Sequence, residues 1–521
     1  MTPKRRIFLN IIATYGRSLY ALVLGLFTAR WALQALGRTD YGLMGLVGGL
    51  SGIVSFLNTL MASAVGRFYA VNIGAANKAG NSEDGLEECR RWFNTAVAIH
   101  TALPLVLILV GYPCGIWAVE NFLTIPADRV DDCIWVWRWT CISCFVAMVN
   151  VPFQAMYTAK QEIAELTIYG FVTATMNALF LYYMISNPDV WLVKFVAWTC
   201  LLTITPQVII GIRAVIKYPE CRFRINYMVC VYRIREICKY AYARFIANLA
   251  TTMSTQAKAI LVNKYMGPDY NASMTVGTSL SNHSMALSTA LSGAMWPAIA
   301  NKAGEGDAEA VKALSFVVCR IGAVLVLVFG LPLFLEINEV LRLWLKNPPP
   351  FAGEVCCAII ISVVLQKMTD GYWMAILGFG EGVVYYSHRS CFGGFILIGL
   401  SWLLFALGWG MWSIVIGIVS MGLMLVFVRL YTGRILVNFS PLYWSKSVFL
   451  PIFLTSAATC LIGMLPRACM SASLMRVIVT AAICEAVFIP LVWFTVLNEA
   501  ERVFMTRKCH DFWKKIQCVN K

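Results

Sequence analysis

The sequence predicts an all-α integral membrane protein: about fourteen transmembrane helices, as two pseudo-symmetric six-helix lobes around a central cavity with two further C-terminal helices. Three observations predict it. Of 521 residues, 59% are hydrophobic and 13% charged, with mean hydropathy +0.70, whereas a soluble domain keeps about a quarter of its residues charged. Apolar stretches of the roughly 20 residues needed to cross about 30 Å of hydrocarbon recur from Ile7 almost to Leu497, and the connections are too short for a folded soluble domain. The pentapeptide Ala76-Asn77-Lys78-Ala79-Gly80 returns as Ala300-Asn301-Lys302-Ala303-Gly304 in matching surroundings, the mark of an internal repeat.

The first span, 7–33, follows Lys4-Arg5-Arg6 as a signal peptide would. Arg17 interrupts it and the apolar run continues to Leu33, so it reads as an uncleaved helix. The second, 41–65, carries Gly45, Gly48, Gly49 and Gly52, two small-xxx-small pairs that let helices approach closely. Spans 92–117, 133–157, 163–186 and 188–212 complete a first lobe, residues 1–236. Within the fourth span, Cys141-Ile142-Ser143-Cys144 has the spacing of a zinc half-site. No second pair and no nearby histidine accompany it, so these cysteines read as packing residues and no metal or other cofactor is expected.

The second lobe, 237–440, holds spans 238–263, 271–297, 314–338, 353–378, 388–406 and 408–429. The division of the last two rests on Gly408-Trp409-Gly410. In 271–297, Gly277, Ser281, Ser284, Ser288 and Ser292 keep side chains small, as the glycines do in the second span. Residues 441–521 supply spans 447–465 and 474–497 and a basic tail.

Orientation follows from the loops, because the cytoplasmic side holds the excess of Lys and Arg. With the N-terminus inside, roughly 29 of the 42 basic residues fall on the inner side, so both termini are expected in the cytoplasm. The loop from Arg213 to Lys239 and the tail with Arg507, Lys508, Lys514 and Lys515 contribute most. A net charge of +15 spread over inner loops suits membrane insertion and anionic lipid headgroups, and no nucleic-acid partner is expected.

The repeat extends beyond the pentapeptide. Leu36-Gly37-Arg38-Thr39-Asp40-Tyr41 and Leu57-Asn58-Thr59 precede the first copy; Met266-Gly267-Pro268-Asp269-Tyr270 and Leu287-Ser288-Thr289 precede the second. An even number of helices separates corresponding points, so the copies point the same way, as in repeats related by an axis along the membrane normal. Their shared interface is where a substrate cavity is expected. The pentapeptide itself marks the end of a span and receives no chemistry.

The stretch from Gly25 through Trp31, Leu36-Gly37-Arg38-Thr39-Asp40-Tyr41-Gly42 and on to Val47-Gly48-Gly49 resembles the opening of bacterial polysaccharide-transporter flippases for O-antigen and capsule repeat units. That family shares the multidrug/oligosaccharidyl-lipid/polysaccharide exporter superfamily with the multidrug and toxin extruders and the peptidoglycan-lipid flippases. The resemblance implies export of a polyprenyl-diphosphate-linked oligosaccharide across the bacterial cytoplasmic membrane by alternating access, for lipopolysaccharide, capsule or exopolysaccharide assembly, with no enzyme chemistry. It also implies a cation-lined cavity, to which the motif carries over Arg30, and places Asp40 at the start of the second helix, in a gating or structural role. The extra basic residues of peptidoglycan-lipid flippases are sparse in the opening helices here.

Among the charges within spans, six stand out: Arg17, Arg30, Lys258, Lys367, Asp370 and Glu485. A charge at the bilayer centre costs at least about 2.5–3.5 kcal/mol, so each is expected to face water, a partner or the interface. Arg138, Arg244 and Arg320 lie near predicted ends and are expected to snorkel. Arg17 is the stronger cavity candidate in the first helix; Arg30 either lines the cavity or reaches the interface. Lys258 lies in the repeat counterpart of that helix, so a cation stands inside the opening helix of both lobes, which favours a shared anion site. Asn248 and Gln256 are read as packing amides before sugar ligands. Lys367 and Asp370, three apart, can pair as a structural element; in the other reading Asp370 or Glu485 takes up H⁺ or Na⁺ and couples transport to an ion gradient. His283 is read as a packing residue before a titrating one.

The alternatives are an ion-coupled multidrug exporter or a peptidoglycan-lipid flippase on the same fold, and a membrane polysaccharide polymerase or ligase. A cavity for cationic drugs should be acidic, against four basic and two acidic among those six charges. An enzyme working on the outer face would need a sizeable catalytic loop, and the outer loops near 118–132 and 339–352 are short and without histidine.

Overall fold

The computed structural model describes residues 3–49, scattered positions between 58 and 73, 83–160, 162–187, 192–379, 383–499, 501–503 and 506. Among them there is no strand, and the all-α class expected from composition is what is found. The principal helices are α1 (Pro3–Gly49), α2 (Glu83–Trp117), α3 (Val130–Val149), α4 (Val151–Ala159), α5 (Ile163–Ser186), α6 (Leu192–Lys217), α7 (Val231–Met266) and α8 (Pro268–Gly304). They continue as α9 (Ala308–Leu335), α10 (Ile337–Leu345), α11 (Ala352–Lys367), α12 (Asp370–Phe379), α13 (Val383–Ala406), α14 (Trp412–Leu436), α15 (Leu450–Gly463) and α16 (Leu474–Leu491).

Among the described residues nine helical stretches are long and apolar enough to cross a membrane, or ten if α11 and α12 form one bent span. Helices α1, α7 and α8 stand outside that group and lie over the predicted spans 7–33, 238–263 and 271–297. Two predicted spans are interrupted. Span 133–157 is α3 followed by α4, because Pro152 lacks the N–H that would bond Met148 O. Span 353–378 bends by 44° between α11 and α12, where the Thr369 N–H turns back to Gln366 O at 3.1 Å.

The repeat has a backbone counterpart. Gly37 (φ 76, ψ 178) breaks α1, and Gly267 (φ 89, ψ 177) separates α7 from α8. Both sit in a region of φ/ψ space that is essentially glycine-only, so a helix–glycine–helix corner recurs at equivalent points of the two copies. The second pentapeptide, Ala300 to Gly304, ends α8 as expected, and Asp307 then caps α9 by accepting from Ala310 N at 3.0 Å. The first pentapeptide lies outside the described residues. Gly37→Ala and Gly267→Ala should each lower stability by about 1–3 kcal/mol through backbone strain alone. Gly399→Ala, which meets nothing within 4 Å, should leave the detergent melting midpoint unchanged.

The chain packs as two compact units, Met1–Ser279 with Pro349–Phe351 and Gly394–Ile414, and Leu280–Pro348 with Ala352–Gly393 and Val415–Lys521. In the first, Phe93, Met156, Tyr157 and Ile210 of α2, α4 and α6 share a core with Tyr69. The loop after α6 is pinned to α2: Asn94 Nδ2 donates to Arg222 O at 3.1 Å, Thr95 Oγ1 to Tyr227 O at 2.9 Å, and Arg233 pairs with Glu88 at 3.0 Å. In the second, Phe316, Ile360, Tyr372, Phe439, Trp444 and Phe488 form the core.

Candidate functional site

In the second unit the bend between α11 and α12 carries an ionic node. A break in a helix frees carbonyls that need other donors. Here Arg429 Nη1 on α14 donates to Gln366 O at 2.8 Å, and Trp444 Nε1 donates to Met368 O at 2.7 Å. The ends of the break hold opposite charges, Lys367 at the last turn of α11 and Asp370 at the first turn of α12, each matched to its helix dipole. Lys367 Nζ reaches Asp370 Oδ2 at 2.7 Å, and Arg429 Nη1 reaches Asp370 Oδ1 at 3.1 Å. Arg429 Nε also donates to Tyr386 OH at 3.3 Å, and Ser292 Oγ lies 3.5 Å from Asp370 Oδ2. The node therefore holds two cations and one carboxylate, a net charge of +1.

Lys367 and Asp370 thus form the ion pair their spacing allows, but with a third member that the sequence placed wrongly. Arg429 stood at the end of predicted span 408–429; α14 continues to Leu436 and leaves it 8% exposed. Arg320, expected to snorkel, is also buried: it is 3% exposed and its Nη2 pairs with Glu501 Oε1 at 2.6 Å. Glu485 on α16 is half-buried, and its Oε2 has no hydrogen-bond partner among the described residues.

In the first unit Lys258 is 9% exposed in α7, with no ion pair among the described residues. Its neighbour Gln256 is half-buried. Arg30 is half-buried one to two turns before the Gly37 corner, and no contact joins it to Lys258 among the described residues. Asp40 is 8% exposed and pairs through Oδ1 with Arg129 Nε at 3.0 Å, on the turn leading into α3. The side chains of Arg17, Asn248, Arg244 and His283 lie outside the described residues.

The two repeat corners meet one another. Thr39 Oγ1 donates to Asp269 Oδ1 at 2.7 Å. A Cβ built on Gly42 would stand 2.0 Å from Pro268 O, and one on Gly45 would stand 2.1 Å from Thr275 Oγ1. The glycines of the predicted packing face therefore bring α1 against the start of α8 at a distance no larger residue permits.

No protein-family model matches the sequence, and no curated protein matches it. Solved structures do. The lipid II flippase MurJ in an inward closed conformation superposes with a TM-score of 0.69 at 11% identity, over 93% of this chain and 98% of that one. A multidrug resistance MATE family transporter of the MOP superfamily matches in its inward-facing conformation with a TM-score of 0.68 at 13% identity, over 83% of this chain and 97% of that one. An outward-facing structure of such a transporter gives 0.58 at 14% identity, over 84% and 96%. The chain has the fold these transporters and flippases share.

Proposed function

We propose that this protein is a flippase that carries a polyprenyl-diphosphate-linked oligosaccharide across the bacterial cytoplasmic membrane for surface polysaccharide assembly, by alternating access between two lobes, 1–236 and 237–440. Both termini are cytoplasmic on this reading. The fold is that of membrane transporters and flippases, which supports transport over a polymerase or ligase.

The observation that carries the substrate class is the asymmetry of the buried charges. Each buried acid among the described residues has a cationic partner: Asp40 with Arg129, Glu220 with Lys160, Glu336 with Arg476, Glu339 with Arg342 and Glu501 with Arg320. Lys258 has no such partner among the described residues, although it is buried to a degree that makes an unpaired charge costly. A cavity that holds an uncompensated cation attracts an anion and repels a cationic drug. Arg17 and Arg30 join Lys258 in holding the diphosphate. Glu485 is the carboxylate for H⁺ or Na⁺ coupling, and Lys367, Asp370 and Asp40 hold the moving parts in register.

Deletion of the gene, followed by extraction of polyprenyl-linked glycans, tests the reading: the glycans accumulate on the inner leaflet. Undiminished surface polysaccharide, with resistance to cationic drugs on overexpression, would instead establish a drug exporter. Lys258→Ala should lower export at least tenfold while the protein remains in the membrane, and Lys258→Arg should retain a substantial share, because the charge is kept.

A further inference from the structure

The first unit contains a second polar feature that carries no charge. A cavity of 630 Å³ lies among α4, α5 and α6, within the usual size range of small-molecule sites, and its lining includes no Lys, Arg, Asp or Glu. Its polar groups are hydroxyls and amides held in fixed roles. Thr173, Thr199 and Thr203 each donate to a backbone carbonyl of their own helix at 2.9 Å, which leaves their oxygens as acceptors. Gln207 Oε1 accepts from the side-chain amides of both Asn150 and Gln154, so the Gln207 amide nitrogen remains a donor. Asn177 lines the cavity, with its Oδ1 enclosed and without a hydrogen-bond partner among the described residues and the rest of its half-buried side chain open to the cavity. Pro206 removes the N–H that would bond Leu202 O, which adds another open acceptor to the lining.

Such a surface is wrong for a diphosphate, which needs cations, and wrong for a drug cation, which needs a carboxylate. It matches a neutral polyhydroxyl group, whose hydroxyls both donate and accept, and Tyr169 in the lining offers a ring for a sugar face. We infer that the cavity among α4, α5 and α6 is a carbohydrate site that holds neutral sugar residues of the cargo, apart from the cationic site for its diphosphate. The inference rests on the transport reading above. Asn177 is the most informative position: removing an unsatisfied buried acceptor should not destabilise the fold, so a loss of binding there reports the ligand and not the scaffold.

The test titrates the full-length protein in detergent with two kinds of probe, sodium pyrophosphate and citronellyl-diphosphate-linked N-acetylglucosamine, galactose or glucose. Asn177→Leu and Thr203→Val should each weaken at least one of the diphosphate-sugars about tenfold, the loss of one buried hydrogen bond, and leave pyrophosphate unchanged. Asn177→Leu should keep the wild-type melting midpoint, and Lys258→Ala should weaken both kinds of probe. Unchanged diphosphate-sugar affinity in both cavity variants, with Lys258→Ala still weakening both probes, overturns the sugar site and leaves the transport reading standing. A wild type that binds neither probe overturns both. Stabilisation by NaCl over KCl that is abolished by Asn177→Leu would make the cavity a cation site and overturn the inference as well.

Discussion

Asp370→Asn should destabilise the protein by about 3–5 kcal/mol, because it leaves two buried cations, Lys367 and Arg429, facing each other without the carboxylate that neutralises them. The side chains are only 7%, 9% and 15% exposed for Lys367, Arg429 and Asp370, so water cannot take over the screening. The effect is asymmetric. Lys367→Met leaves Asp370 paired with Arg429 and takes the node from +1 to zero, and should cost about 1 kcal/mol or less. Lys367→Met combined with Asp370→Asn returns the node to +1 and should recover most of the loss, a coupling that a double-mutant cycle on detergent melting midpoints reads directly. Proton coupling through Asp370 gives the opposite pattern. Asparagine then mimics the protonated acid, the fold tolerates it, and only transport against a gradient fails. A stable, expressed Asp370→Asn protein with uncoupled transport would therefore reassign Asp370 from strut to coupling site.

How far the sequence reached can be judged residue by residue. The corners at Gly37 and Gly267 were legible because a required positive φ selects glycine, and the flanking Thr-Asp-Tyr and Pro-Asp-Tyr repeat with it. The division after 406 was legible for the same reason, since Gly408 (φ 83) and Gly410 (φ 55) both take conformations that end a helix. The Lys367–Asp370 pair was legible because its partners are three apart on the chain. Partners that are distant in sequence were not. Glu501 lies 181 residues from Arg320, and nothing in either local pattern announces the other, so a buried pair read as a snorkelling arginine. Arg429 was lost to a helix end misplaced by two turns. The neutral cavity escaped because its threonines bond their own helices and look like ordinary packing residues; only their convergence from α5 and α6, with Gln154 from α4, distinguishes them.

Gly42→Val should abolish transport without emptying the membrane of protein. The smallest side chain at this position already puts a Cβ 2.0 Å from Pro268 O and 2.9 Å from Pro268 C, and a backbone group at the head of α8 cannot rotate away as a side chain can. The strain of such overpacking is typically about 1–3 kcal/mol, and each 1.4 kcal/mol shifts a two-state equilibrium tenfold. On the proposed cycle, the contact of α1 with the start of α8 must close and open once per turnover. Valine then penalises the closed form alone and holds the two corners apart. The measurement is labelling of Thr275→Cys with a membrane-impermeant maleimide added outside, as the increment over the parent. Thr275 Oγ1 stands against Gly45 in the closed contact, so labelling should be slow with Gly42 and at least tenfold faster with Gly42→Val. Gly45→Ala should produce a smaller rise, because it meets a hydroxyl that can turn aside. Equal labelling in all three backgrounds, with transport intact, would mean that this contact is a static joint and that the opening lies elsewhere.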